Sequence, residues 1–212
     1  MRVIRAAQRS EDELVREVAA CVRSGGTVIF PTETVYGIGC DPDDAAAIDA
    51  IFRAKRRSRD KPLALHIADA AHAVPFVAEL THCARLAMQR LWPGPVAIIV
   101  RRRAGRYERA ACGLDTISLR CPDHALCRAL LRATGPLAAT SANVSGRRAF
   151  TGESDSPGDL PQATLAVLAG PTTLRAESTI VDCTGDEATI VRAGALSSAV
   201  IAEKLGTSPP IR

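Results

Sequence analysis

The stretch from Thr27 to Gly39 reads TVIFPTETVYGIG and places an apolar run directly before a polar loop. The run 27–30 is β-branched or aromatic and stops at Pro31, so we predict a short buried strand there. The loop then supplies two threonines, a glutamate and a tyrosine before its glycines. Loops at strand ends are where α/β proteins bind ligands, so this loop is a candidate site. An ordinary turn with local hydrogen bonds is the alternative.

Helices and strands are predicted on both sides of this stretch. A capping box at Ser10–Glu13 opens a first helix, and Gly25-Gly26 closes it. Later helices are predicted from Asp43 or Asp44 to Lys55, after caps at Thr81 and Asp123, and over 197–205. Further strands are predicted at 63–67, 96–100, 116–119, 137–140, 165–168, 178–182 and 188–191. Helices alternate with strands early and strands cluster late, which indicates an α/β fold with a mixed sheet.

Composition narrows the class of protein. The chain has 212 residues, of which 47% are hydrophobic and 24% charged, as in a soluble globular protein. We expect one domain over 1–206 and a flexible end over 207–212. No apolar run is long enough for a membrane span, and the start lacks the apolar core of a signal peptide. The absence of such a span also predicts that the protein does not contact membranes. The seven cysteines have no paired spacing, so we expect a protein of the reducing cytoplasm.

A cluster of positive charge lies between Arg53 and Lys61, where six cations and one anion occupy nine positions. Two of the chain's three lysines are among them. The cluster leads through Pro62 into an apolar strand, so its cations are placed at a strand edge where they could hold a polyphosphate. A solvated helix end is the alternative. A weaker arginine patch at 101–109 is predicted to face solvent or RNA.

The stretch 138–146 reads AATSANVSG and ends a short apolar strand in small hydroxyls and an amide. Such a surface offers hydrogen bonds with little bulk, as a nucleotide pocket needs, while a helix N-cap is the alternative. The common phosphate loops are absent, since neither G-x-x-x-x-G-K-[ST] nor a strand-linked G-x-G-x-x-G occurs. H-E-x-x-H and C-x-x-C are also absent, so no metal site on the protein is predicted.

Taken together, these blocks resemble one family. The run 31–37, Lys55-x-Arg57 with 61–63, and 141–146 are similar to the YrdC/TsaC family of threonylcarbamoyl-AMP synthases, in its short, single-domain form. Further blocks in the family's order lie at 92–95, 113–116, 118–120, 177–179 and 192–194. Each block is weak alone, but eight blocks in order are strong evidence, and they extend from about residue 10 to about residue 200.

The resemblance implies an open, twisted mixed sheet with flanking helices and a concave, basic cavity. It implies a nucleotidyltransferase that uses L-threonine, bicarbonate and ATP, with Mg²⁺ accompanying the ATP, to form threonylcarbamoyl-AMP and pyrophosphate. A separate threonylcarbamoyl transferase complex would then use the product to modify tRNA. A non-catalytic protein of the same fold that binds tRNA or double-stranded RNA is the alternative.

The resemblance also assigns roles to twelve positions. The predicted catalytic residues are Lys55 and Arg57. The predicted L-threonine contacts are Thr34, His66, Arg120, Ser178 and the backbone near Ala139. The predicted ATP contacts are Arg57, Lys61, Thr116, Ser141, Asn143 and Arg192.

Overall fold

A computed structural model describes residues 1–152, 156–207 and 209–211. These residues contain one ten-stranded sheet and five α-helices. The strands are β1 (Arg2–Arg5), β2 (Val28–Phe30), β3 (Gly37–Cys40), β4 (Ala64–His66), β5 (Val96–Arg101), β6 (Thr116–Arg120), β7 (Leu137–Ser141), β8 (Leu165–Leu168), β9 (Thr179–Asp182) and β10 (Thr189–Arg192). The helices are α1 (Glu11–Arg23), α2 (Ala45–Lys55), α3 (His82–Leu91), α4 (Ala125–Thr134) and α5 (Ser198–Leu205).

The sheet is open and mixed, as predicted. Its strand order is β1-β8-β2-β3-β7-β4-β6-β5-β9-β10, so β1 and β10 are the free edges. Parallel pairs such as β4 with β6 alternate with antiparallel pairs such as β3 with β7. Two strands were not predicted. β1 (RVIR) is a short, mostly exposed edge strand, and β3 (GIGC) is half glycine, which is depleted in strands.

Packing against Phe30 explains why β3 contains a glycine at position 37. A Cβ atom on Gly37 would lie 2.9 Å from the ring of Phe30 on the paired strand β2. The aromatic ring therefore covers the glycine, and no larger residue fits without a shift of that ring. Strand β3 is formed by its two neighbours rather than by its own propensity.

Helix caps follow the sequence signals with one correction. Ser10 forms the predicted capping box, and Asp44 and Thr81 cap α2 and α3. The prediction that Asp123 caps α4 is wrong, because the N-cap is His124. The His124 Nδ1 atom accepts from the Cys127 backbone N–H at 3.3 Å, which is the reach from N-cap to third helical residue that Asp123 lacks.

The helices cover the two faces of the sheet unequally. Apolar residues of α2, α3 and α5 pack on one face, with Ile29 of β2 among them. Helices α1 and α4 pack on the other face against Val28 and Phe30 of β2, and against parts of β7 and β8. The alternation along β2 identifies these as opposite faces. On the face of α1 and α4, the strands from β4 to β5 lie beside the helices, and a cavity lies over them.

Two predictions fall partly outside the described residues. One is a surface loop that the Ser, Asp, Pro and Gly content of 152–162 predicts, of which positions 153–155 are not described; the other is the flexible end, of which positions 208 and 212 are not described. The Pro210 carbonyl accepts from the Ile190 N–H at 2.8 Å, which ties this part of the end to β10. Within the described ranges, none of the helices combines the length and apolarity that crossing a membrane requires.

Candidate active site

The cavity has a volume of about 500 Å³, and alternate residues of neighbouring strands form its floor. Ala64 is paired with Ser118 and His66 with Arg120 across β4 and β6. Side chains two residues apart point to the same face of a strand, so these four lie on one surface. On the next strand, Ala139 of β7 is paired with Ala64 and continues the floor.

Ten of the twelve predicted site residues line this cavity. Those ten are Lys55, Arg57, Lys61, His66, Arg120, Ala139, Ser141, Asn143, Ser178 and Arg192. They come from six separate stretches of the sequence, at 55–61, 66, 120, 139–143, 178 and 192. The register of β4, β6 and β7 and the loops after α2 and β7 bring them together.

The other two predicted residues, Thr34 and Thr116, are not among the lining residues. Thr34 is fully buried, and its Oγ1 atom lies 2.9 Å from Oγ1 of Thr32, which does line the cavity. Thr116 shares the face of Ser118 and Arg120 but sits at the start of β6, opposite Arg101. Thr34 thus supports the wall from behind, and Thr116 lies at the margin of the floor.

One part of the cavity, which we call the histidine end, consists of His66, Ser118 and Arg120. Three of its buried atoms make no hydrogen bond to any residue that the structure describes: His66 Nδ1, Ser118 Oγ and Arg120 Nη2. Burial, with the charge of Arg120 as a smaller cause, lowers the pKa of His66 to about 3. The imidazole is therefore neutral at physiological pH and retains one nitrogen that can accept a hydrogen bond. Unused polar groups of this kind suit a polar ligand.

A buried ion pair supports the histidine end from below. Oε2 of Glu33 lies 2.8 Å from Nη2 of Arg120, and both side chains are less than a tenth exposed. Neither Glu33 oxygen makes a hydrogen bond within the described residues, so the contact is an ion pair only. The pair nevertheless balances the charge of Arg120. Glu33 was not predicted as a site residue, although its position in the polar loop after β2 was a signal.

A second part, which we call the lysine end, consists of Lys55, Arg57 and Arg192. The Lys55 side chain is buried, and its Nζ atom donates to the Ser141 carbonyl, to the Asn143 carbonyl at 2.7 Å and to Asn143 Oδ1 at 3.1 Å. Burial, with the charge of Arg57 as a smaller cause, lowers the pKa of Lys55 to about 8. The ammonium therefore remains mostly charged at pH 7 and is held by oxygens of one loop.

The two arginines of the lysine end also bind the protein's own backbone. Arg57 donates from Nε to the Lys61 carbonyl and from Nη2 to the Pro62 carbonyl, both at 2.9 Å. Arg192 donates from Nη2 to the Ser178 carbonyl at 2.6 Å and from Nη1 to Oε2 of Glu177 at 3.0 Å. These contacts fold the turn 57–62 and fix the segment 177–178 as walls of the cavity.

Several lining residues were not predicted. Thr32 and Tyr36 belong to the polar loop after β2, whose composition was a signal, whereas Asp60 and Glu177 lie in or beside quoted blocks and gave no separate signal. The Tyr36 hydroxyl is already used, since it donates to the Gly170 carbonyl at 2.7 Å and accepts from the Ala169 N–H at 2.8 Å. Over the described part of the chain, no three histidine, cysteine or carboxylate side chains group as a metal site requires.

The predicted arginine patch at 101–109 is wrong in one member. The Arg102 side chain is 7% exposed and donates to the Leu114 carbonyl at 3.0 Å and the Arg106 carbonyl at 2.6 Å. It closes the segment 102–115 rather than facing solvent. Arg101 and Arg103 are exposed as predicted.

Comparisons with known proteins agree on one family. The sequence model of the family described as "Telomere recombination" (Sua5, YciO and YrdC) matches residues 20–194. A threonylcarbamoyl-AMP synthase of Bacillus subtilis is 34% identical over 93% of this chain and 58% of its own length. A putative threonylcarbamoyl-AMP synthase of Mycobacterium leprae is 37% identical over 93% of this chain and 92% of its own.

Solved structures extend the likeness to the fold. Sua5 of Pyrococcus abyssi, solved in complex with L-threonine, superposes with a TM-score of 0.89 at 32% identity. The superposition covers all of this chain and 62% of that protein. The chain thus spans about three-fifths of the length of the Bacillus and Pyrococcus proteins. The family match over most of the sequence and the shared fold lead to one conclusion: this chain belongs to the Sua5/YciO/YrdC family.

Proposed function

We propose that this protein is a threonylcarbamoyl-AMP synthase, a nucleotidyltransferase that joins L-threonine, bicarbonate and ATP. The observation that carries the proposal is a single cavity that joins a histidine end with unused polar groups to a lysine end of fixed cations. Relatives of this name match along nearly the whole chain, and a structural relative was solved with L-threonine.

L-Threonine would bind at the histidine end. The Arg120 guanidinium offers a cation for the carboxylate, and such charge-assisted contacts are strong in a buried site. The neutral imidazole of His66 can accept from the β-hydroxyl, and Ser118 Oγ adds a group that can donate or accept. Ala139 contributes its backbone and a small side chain, which leaves room for the amino acid.

The triphosphate of ATP would bind at the lysine end. The cations there face a cavity whose lining includes two carboxylates, Asp60 and Glu177. We take Mg²⁺ to arrive with ATP as part of the substrate. Lys61 and the free Nη1 of Arg57 are available to phosphate oxygens, because Arg57 uses Nε and Nη2 on the backbone.

The proposed chemistry needs position and charge rather than a nucleophilic side chain. The threonine amine attacks bicarbonate or carbon dioxide and forms N-carboxythreonine, with loss of water in the bicarbonate case. A carbamate oxygen then attacks the α-phosphorus, and the bond to the departing pyrophosphate breaks. Cations near the phosphates stabilise the developing charge, as in other phosphoryl transfers.

The product would be passed to a separate threonylcarbamoyl transferase complex that modifies tRNA. The RNA-binding alternative does not account for a buried cavity lined by His66, Arg120 and Ser178. The protein also has few side chains that could stack on RNA bases, since aromatic residues make up 3% of the chain.

The direct test measures pyrophosphate release by the pure protein with ATP, Mg²⁺ and bicarbonate. We expect release that depends on L-threonine, together with threonylcarbamoyl-AMP as a product identified by mass. Omission of bicarbonate or of threonine serves as the control. Release that ignores threonine, or no release with salt-sensitive tRNA binding, would contradict the proposal.

A further inference from the structure

We propose that Lys55 is a positioning residue: its ammonium group fixes the loop 141–147, and that loop, rather than Lys55, contacts the nucleotide. This inference deepens the proposed function and rests on it for the identity of the ligand. It replaces the expectation that Lys55 is itself a catalytic residue.

The ammonium group of Lys55 has no hydrogen left for a phosphate. A lysine carries three N–H donors and no acceptor. Three oxygens surround Nζ: the carbonyls of Ser141 and Asn143 and the Asn143 side-chain oxygen. The residue is 1% exposed, so leaving any of these bonds unmade is costly.

Lys55 also holds the loop 141–147 at two points. Besides the ammonium contacts, its own carbonyl accepts from the Ser145 N–H at 2.8 Å. The C-terminal end of α2 is therefore joined to both halves of the loop. Since α2 packs in the core through Ile48, Ile51 and Phe52, the anchor is rigid.

The hydrogen bonds within the loop share the Asn143 side chain with Lys55. Oδ1 of Asn143 accepts from Lys55 and also from the Ser141 hydroxyl at 2.6 Å. The Asn143 Nδ2 atom donates onward to the Arg147 carbonyl at 2.6 Å. Lys55 thus fixes the amide orientation from which the rest of the network follows.

What the fixed loop offers the cavity is backbone. Gly146 lines the cavity, and its N–H has no acceptor among the residues that the structure describes. The N–H of Val144 also has no acceptor among the described residues, but Val144 does not line the cavity. Backbone N–H groups in a turn form sites for anions, and glycine permits close approach. A phosphate oxygen is the ligand chemistry that this loop fits.

The test combines hydrogen exchange with a double-mutant cycle. In unliganded Lys55→Met we expect the 141–147 amides to exchange at least about 10-fold faster than in wild type. Arg57→Met is the matched control, because it removes a neighbouring cation that makes no bond to this loop, and its 141–147 exchange should match wild type. If Lys55→Met does not fold, Lys55→Gln, which keeps two donors, takes its place.

In the cycle, Lys55→Met and Asn143→Ala should each lower kcat/KM for ATP, and the double variant should be no worse than the worse single variant by more than about threefold. Losses that multiply would mean that Lys55 contacts ATP itself and would overturn the inference, as would unchanged exchange in Lys55→Met. The exchange measurement uses unliganded protein. If the wild type shows no threonine-dependent pyrophosphate release, the proposed function is refuted. The exchange measurement would still decide whether Lys55 fixes the loop.

Discussion

The two ends of the cavity use buried polar groups in opposite ways. At the lysine end, Lys55, Arg57 and Arg192 all donate hydrogen bonds to backbone carbonyls of nearby loops. At the histidine end, His66 Nδ1 and Ser118 Oγ make no hydrogen bond within the described part of the chain. Positive charge in a cavity wall therefore does not by itself identify a ligand contact, because the same cation can be holding the wall in place.

The difference has an energetic reason. A buried polar atom without a partner costs about 1–3 kcal/mol, so folded proteins rarely keep several together unless a ligand completes them. The lysine end meets this requirement internally and is ready without a ligand. The histidine end does not, and we expect its missing bonds to be made by the substrate.

The largest expected effect concerns the pair beneath the histidine end. Arg120→Leu leaves the Glu33 carboxylate buried without its cation, which should cost about 3–5 kcal/mol of the free energy of unfolding in urea. Arg120→Leu with Glu33→Leu removes both charges and should recover most of that loss. Equal stabilities for the single and double variants would mean that Glu33 does not depend on Arg120.

The next effect concerns catalysis at the lysine end. Arg57→Ala removes a cation whose Nη1 makes no hydrogen bond within the described residues and lies next to the proposed triphosphate. We expect kcat/KM for ATP to fall roughly 10- to 150-fold, which corresponds to about 1.5–3 kcal/mol. Circular dichroism would verify that the variant is folded. Near-normal threonine-dependent pyrophosphate release would remove Arg57 from the site.

Substrate choice tests the unused groups of the histidine end. Serine lacks only a methyl group, whose contribution to transition-state binding is about 1–3 kcal/mol. Its kcat/KM should therefore be lower than that of threonine, with turnover still detectable. Valine keeps the shape but leaves polar atoms such as His66 Nδ1 unpaired, at about 1–3 kcal/mol for each buried group or more. Pyrophosphate release is compared for the three amino acids at equal concentration. Valine turning over as well as threonine would show that the hydroxyl is not recognised.

A pH dependence of stability tests the burial of His66. The pKa of His66 is about 3 in the folded protein against 6.5 as the ordinary value, so between these values the unfolded chain binds a proton that the folded chain does not. Stability should therefore fall as pH drops through this window, at about 1.4 kcal/mol per pH unit from this residue. Urea unfolding of wild type and His66→Gln from pH 7 to pH 4 isolates the effect. Parallel curves for the two proteins would contradict it.

Sequence reasoning located most of the site but not the geometry within it. Ten of the predicted residues line the cavity, and the blocks at 55–63 and 141–146 contain five of them. It placed Thr34 on the cavity surface, whereas Thr32 of the same loop occupies that surface. Two hydroxyls two residues apart are indistinguishable by composition, and only the turn's hydrogen bonds separate them.

The sequence by itself determined the α/β class, the mixed sheet, most helix caps and the family. Those depend on local patterns: apolar periodicity, capping residues and ordered motifs are all written along the chain. Tertiary structure alone decided the glycine strand β3, the burial of Arg102, the Glu33–Arg120 pair and the bonds of Lys55. The physical reason is distance along the chain: Lys55 and Asn143 are 88 residues apart, and no local pattern specifies which oxygens a buried ammonium group will meet.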